Sequence, residues 1–157
     1  NYFMFLTAHT SAALLIATKI TNPFLGLVLG ILSHFILDFI PHGEDGAIAN
    51  KAKTHKSMLM SMFYLALVDI LIASIFLFIF FWQYQPDHYL IFFVTVFGSW
   101  LPDLAWGSVE MFKLKTFNWV VILHHKIHDL LDITYSIKYG LILQAAFIAL
   151  MLFLIWN

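Results

Sequence analysis

The chain has 157 residues, of which 62% are hydrophobic and 11% are charged. Soluble domains run near half apolar and a quarter charged, so this composition points to a membrane protein. The net charge is −1, cysteine and arginine are absent, and lysine alone carries fixed positive charge. That excludes a basic nucleic-acid surface, a disulfide framework, a thiolate metal site and the bidentate arginine clamp on phosphate.

Five hydrophobic segments follow in chain order, and several stretches of about 20 residues are nearly free of charge, the length that spans a bilayer. The first runs from about Tyr2 to Ile20 and is broken by the polar run Thr7-Ala8-His9-Thr10-Ser11. It lacks a basic leading region and a small-x-small cleavage site, so it is not read as a signal peptide. The chain begins at Asn1, not Met, and a few residues are expected to precede it. Thr21-Asn22-Pro23 makes a turn. The second segment runs from Phe24 to Ile40 and ends at Pro41, before a polar loop from His42 to Lys56. The third runs from Ser57 to Trp82, and 83–88 forms a short turn. The fourth runs from Tyr89 to Leu101 and is expected to end at Pro102. The fifth runs from Ile137 to Trp156.

Between the last two segments lies a mixed stretch, Ala105 to Ser136. Val120, Leu123, Ile127, Leu130, Leu131 and Thr134 recur there at helical spacing, with His124, His125, His128, Asp129 and Asp132 on the rest of the wheel. This reads as an amphipathic helix at the membrane surface or tucked into the bundle. The expected fold is therefore all-α. It is a single polytopic helical domain over 1–157, with about five transmembrane helices and one amphipathic surface helix.

With five crossings, the N-terminus, the 41–56 loop and the 102–136 region share one side. That side carries Lys51, Lys53, Lys56, Lys113, Lys115 and Lys126, with Lys138 at its edge, and the other carries only Lys19. The positive-inside rule makes the lysine-rich side cytoplasmic, in a multi-pass protein of the inner membrane.

The titratable residues gather on that same side. His34 and Asp38 stand one turn apart on one helix face, and His42 follows Pro41. His9, Asp103, His124 and His125 fall near the same membrane face, as do His55, His128 and Asp132, whereas His88 does not. Ionisable residues at membrane depth are costly and are functional candidates. Imidazole and carboxylate without sulfur suit zinc, manganese or iron. His9, His34, Asp38, His42, Asp103, His124 and His125 are the candidate ligands of a divalent metal ion, zinc first. His128 and Asp132 are candidates for the general base. Each has a plainer reading: an intramembrane His can bond a neighbouring helix, Asp103 can cap a helix, and the 124–128 histidines can form a solvated face. Asp69, deep in the third segment, can hydrogen-bond in the core or support a ligand. Trp82, Tyr84, Tyr89, Trp100, Trp106 and Trp156 read as interface anchors.

Thr7-Ala8-His9, the run Ser33-His34-Phe35-Ile36-Leu37-Asp38-Phe39-Ile40-Pro41-His42 and Leu101-Pro102-Asp103-Leu104 carry a resemblance. They resemble the membrane-bound metal-dependent hydrolases of the YdjM type, over about the first two-thirds of the chain. The resemblance implies His9, His34, Asp38 and Asp103 as metal-site residues and an active site at the membrane surface. Where that family has Pro-Asp-x-Asp, this chain has Pro102-Asp103-Leu104-Ala105, and its Arg-Gly-x-Thr-His-Ser stretch is here Lys53-Thr54-His55-Lys56-Ser57.

The expected function is metal-dependent hydrolysis of an amphiphilic or lipid-like substrate at the cytoplasmic face, with membrane lipid as partner and no nucleic acid. The alternatives are a non-catalytic scaffold or subunit of a larger membrane assembly, and a haem or pigment protein with axial histidines.

Overall fold

A computed structural model describes residues 5–39, 54–128 and 137–157. The described residues form α1 (Leu6–Ala17), α2 (Pro23–Asp38), α3 (His55–Tyr84), α4 (Tyr89–Phe112), α5 (Asn118–His128) and α6 (Ile137–Trp156), with a 3₁₀ turn at Lys115–Phe117. No strand occurs among them.

Local chemistry sets most of the boundaries. Asn22 Oδ1 accepts from the backbone N–H groups of Phe24 and Leu25 at 2.9 and 3.2 Å, and Pro23 opens α2 where its missing N–H costs nothing. Thr54 and Ser57 form a reciprocal capping box at the start of α3. Lys113 adopts a left-handed conformation, φ 53°, and the Leu114 N–H returns to the Val109 carbonyl at 3.1 Å. That closes α4 as a Schellman motif does.

Three helices are long and apolar enough to cross a membrane: Phe63–Tyr84 within α3, α4, and Lys138–Trp156 within α6. At 1.5 Å per residue α1 and α2 are about 18 and 24 Å long, below the ~30 Å of a bilayer core. The polar run at Thr7–Ser11 interrupts the apolar sequence but lies within the continuous helix α1. Thr10 Oγ1 and Ser11 Oγ donate to the Leu6 and Ala8 carbonyls at 2.7 Å each. The whole run is buried because α2, α3, α4 and α6 all pack against α1.

The fourth segment also differs from expectation. Helix α4 continues through Pro102 to Phe112 and takes the first part of the mixed stretch with it. A proline forfeits the hydrogen bond to the carbonyl four residues back, here that of Gly98. An uncoiled backbone among apolar neighbours would forfeit more. Helix α5 then packs against both α4 and α2.

The pairing of α2 with α4 is the most extensive in the fold. Gly26 and Gly30 line it on α2 and Gly98 on α4. A Cβ at Gly30 would collide with the Thr95 carbonyl oxygen, and one at Gly98 with the Leu27 carbonyl oxygen. Small residues four apart let two helix backbones meet in this way.

Candidate metal centre

Helix α1 begins inside the bundle. Asp69 of α3 accepts from the Leu6 N–H at 2.6 Å and from the Thr7 hydroxyl at 3.3 Å. The Phe5 N–H donates to Gln144 Oε1 of α6 at 3.0 Å. Asp69 and Gln144 lie about 9 Å along the Phe63–Tyr84 and Lys138–Trp156 spans. The N-terminus of α1 is therefore satisfied by side chains well below the span ends, and its next turn carries His9 into the interior.

There, five side chains from four helices converge: His9 of α1, His34 and Asp38 of α2, Asp103 of α4 and His124 of α5. His9 Nε2 lies 3.3 Å from Asp38 Oδ1. His34 Nε2 lies 2.9 Å from Asp38 Oδ2 and 3.6 Å from Asp103 Oδ1. His124 Nε2 lies 3.0 Å from Asp103 Oδ1 and 3.8 Å from Asp38 Oδ2. His9, His34, Asp38 and His124 are buried, and Asp103 keeps 20% of its side chain exposed. The rings of His9 and His34 stack with centroids 4.2 Å apart.

The orientation of His34 is fixed by the backbone of α4. Its Nδ1 stands 2.7 Å from the Ser99 carbonyl oxygen, which can only accept, so Nδ1 carries the proton. The lone pair of neutral His34 is then on Nε2, the atom facing both carboxylates. This is how a metal-ligating imidazole is usually held. His9 Nε2 and His34 Nε2 are buried against the Asp38 carboxylate, and His9 Nδ1 is buried with no hydrogen-bond partner among the described residues. A buried polar atom left unsatisfied costs about 1–3 kcal/mol, and an imidazole lone pair facing a carboxylate is satisfied only by a proton or a cation between them.

One nitrogen from each ring and one oxygen from each carboxylate could hold a metal ion between them. Bonds of 2.0–2.1 Å in a tetrahedral site put ligand atoms roughly 3.3 Å apart. The five His–Asp pairs within 4 Å, at 2.9 to 3.8 Å, bracket that value. His9, His34 and Asp103, and likewise His34, Asp38 and His124, each offer three ligand atoms mutually within 4.8 Å. Two carboxylates and three neutral imidazoles balance the charge of one divalent cation.

Of the residues singled out from the sequence, the structure gathers these five. It does not bring His125 into the group. His125 lies on the exposed side of α5 with its ring 6.3 Å from that of His124, because adjacent helical residues point about 100° apart. His42, Asp129 and Asp132 lie outside the described residues, as do the side chains of His55 and His128.

Two tryptophans also depart from expectation. Trp100 Nε1 donates to Thr10 Oγ1 at 2.9 Å and ties α4 to α1. Trp106 stacks on His124, with centroids 5.5 Å apart and planes 13° from parallel. Neither acts simply as an interface anchor. Ser99 contributes through its carbonyl, which no side-chain motif reveals. Comparison with known protein families, curated proteins and solved structures found no match to the chain.

Proposed function

We propose that the chain is a metal-dependent hydrolase whose His/Asp centre holds one divalent cation and acts on an amphiphilic, lipid-like substrate. The observation that carries the reading is the convergence of three imidazoles and two carboxylates at 2.9 to 3.8 Å, with His34 fixed by a backbone acceptor. Zinc is the expected ion, with manganese and iron as alternatives for the same donors. When bound, such an ion polarises the scissile group and lowers the pKa of a water toward neutrality. Asp103, the most exposed of the five, marks the side from which a substrate approaches.

The depth of the centre supports an amphiphile over a water-soluble substrate. Asp103 lies about 13 Å in from the Phe112 end of its span. Helix α5, which carries His124, turns Trp119 and Ile122 outward at 60% and 61% exposure. An apolar outer face on the helix that covers the site suits lipid on its other side. The stacking of His9 and His34 is unsuited to axial haem ligation, where two imidazoles meet an iron end-on from opposite faces.

We infer further that all five hydrophobic segments lie in the membrane with the centre on the cytoplasmic side, as the lysine distribution implies. One experiment addresses both readings. Hydrolysis of a phospholipid or lipid ester is followed in inverted and right-side-out vesicles from cells expressing the chain. A membrane-impermeant chelator should abolish the activity in inverted vesicles and spare it in right-side-out ones. Activity that resists chelation in both would contradict the hydrolase reading, and the opposite sidedness would contradict the topology.

A further inference from the structure

Helix α4 ends at Phe112 and the chain then doubles back. Lys113 takes the left-handed conformation, the 3₁₀ turn at Lys115–Phe117 follows, and α5 returns along α4 until His124 stands 3.0 Å from Asp103. Asp103 lies about 13 Å in from Phe112, so the tip of this hairpin, 112–118, sits at the end of the α4 span. Every residue from Met111 to Trp119 is exposed. Phe112, Leu114, Phe117 and Trp119 keep 67, 41, 50 and 60% of their surface. Lys113 and Lys115 stand between them, with no ion pair among the described residues. The single carboxylate from Leu104 to His128 is the half-buried Glu110.

A contiguous apolar patch of this kind is costly in water and at home at the boundary of headgroups and acyl chains. There a lysine lays its stem on the apolar surface and holds its ammonium among the phosphates. Two ammonium groups at the end of a span are complementary to an acidic lipid surface. We propose that the hairpin tip, 112–119, is a docking surface for anionic phospholipid. Phe112, Leu114, Phe117 and Trp119 enter the leaflet, and Lys113 and Lys115 hold headgroup phosphates. A zwitterionic lipid offers the same phosphate but offsets it with its own ammonium, so the tip prefers a lipid of net negative charge. The inference rests on the reading of α4 as a membrane span and is independent of hydrolysis.

The chain has no cysteine, so one introduced thiol can be labelled alone. Thr116→Cys puts a fluorophore at the exposed tip, and Ser74→Cys, in a second protein, puts one halfway along the Phe63–Tyr84 span. Each labelled protein is reconstituted into phosphatidylcholine vesicles holding a small fraction of spin-labelled phosphatidylglycerol or spin-labelled phosphatidylcholine. The spin label sits high on the acyl chain for the tip and mid-chain for Ser74. Quenching gives the local association constant of each lipid. A lysine near an acidic lipid surface is worth about fivefold, so phosphatidylglycerol should be favoured at the tip by roughly tenfold or more at low salt. High salt should shrink that preference. Lys113→Asn with Lys115→Gln should bring it close to equality while both lipids still quench, asparagine being chosen because it tolerates the left-handed backbone.

Equal quenching by the two lipids at the tip of the parent, or an undiminished preference in the lysine variant, would overturn the inference. So would a tip label that neither lipid quenches while the Ser74 label is quenched, since the hairpin would then lie in water. Each of these outcomes leaves the metal centre standing. A Ser74 label that neither lipid quenches would remove the membrane reading and this inference together.

Discussion

His124 and His125 are neighbours with the same chemistry, and the fold separates them. His124 is buried against Trp106 and stands 3.0 Å from Asp103, while His125 points to the exposed side of α5. Truncating His124 should therefore weaken metal binding by about 10- to 100-fold, as loss of a ligand or its close support does. Truncating His125 should leave it within a few-fold. Competition against a chromogenic chelator measures both, and equal losses in the two alanine variants would contradict the geometry. At this scale much of the centre was legible. His9, His34, Asp38 and Asp103 stand out because a charged or imidazole side chain among apolar ones has few reasons to be there. The choice between His124 and His125 was not legible, since it depends on which face α5 turns inward. Trp106 was read as an interface anchor because its partner is distant in sequence.

Among the elements, α2 and α4 decide whether the centre can form. Together they carry His34, Asp38, Asp103 and the Ser99 carbonyl, and their separation is set where Gly26, Gly30 and Gly98 let the backbones touch. Gly30→Ala would press a methyl group onto the Thr95 carbonyl oxygen and the Ser99 nitrogen. Backbone atoms cannot rotate aside, so the helices must part, at a cost of about 1–3 kcal/mol. Thermal unfolding in detergent should fall accordingly. Metal affinity should fall with it, although Gly30 touches no ligand. An alanine variant as stable and as metal-binding as the parent would show that the pairing is looser than described. The four-residue spacing of Gly26 and Gly30 was open to reading in the sequence as a helix-contact motif. Pro102 misled in the other direction. A proline ends most helices in water, but surrounding helices hold this one through it.

Among the described residues many large apolar side chains face outward, while a group of polar ones is buried at the centre beside a small apolar core. Phe24, Trp82 and Phe78 are among the most exposed, whereas Thr10, Ser11, Thr95, Ser99 and Asp69 are among the most buried. The exterior matches lipid, and polar groups reach the interior because α1, rich in small and hydroxylated residues, is enclosed by its neighbours. Composition and segment length made the all-helical membrane architecture legible. They did not reveal that α1 starts inside the bundle, because its caps come from Asp69 and Gln144, far away in sequence. The central claim is that this interior holds one divalent ion on the His/Asp cluster. Elemental analysis of protein purified in detergent, alongside the Asp38→Asn variant, tests it most directly. An amide can still hydrogen-bond, but it is a poorer ligand than a carboxylate. The account predicts about one metal ion per chain in the parent and loss of that ion in a variant that keeps its helical content and melting profile. A parent free of metal after purification with added zinc, manganese or iron, or an Asp38→Asn variant that retains the ion in full, would contradict it.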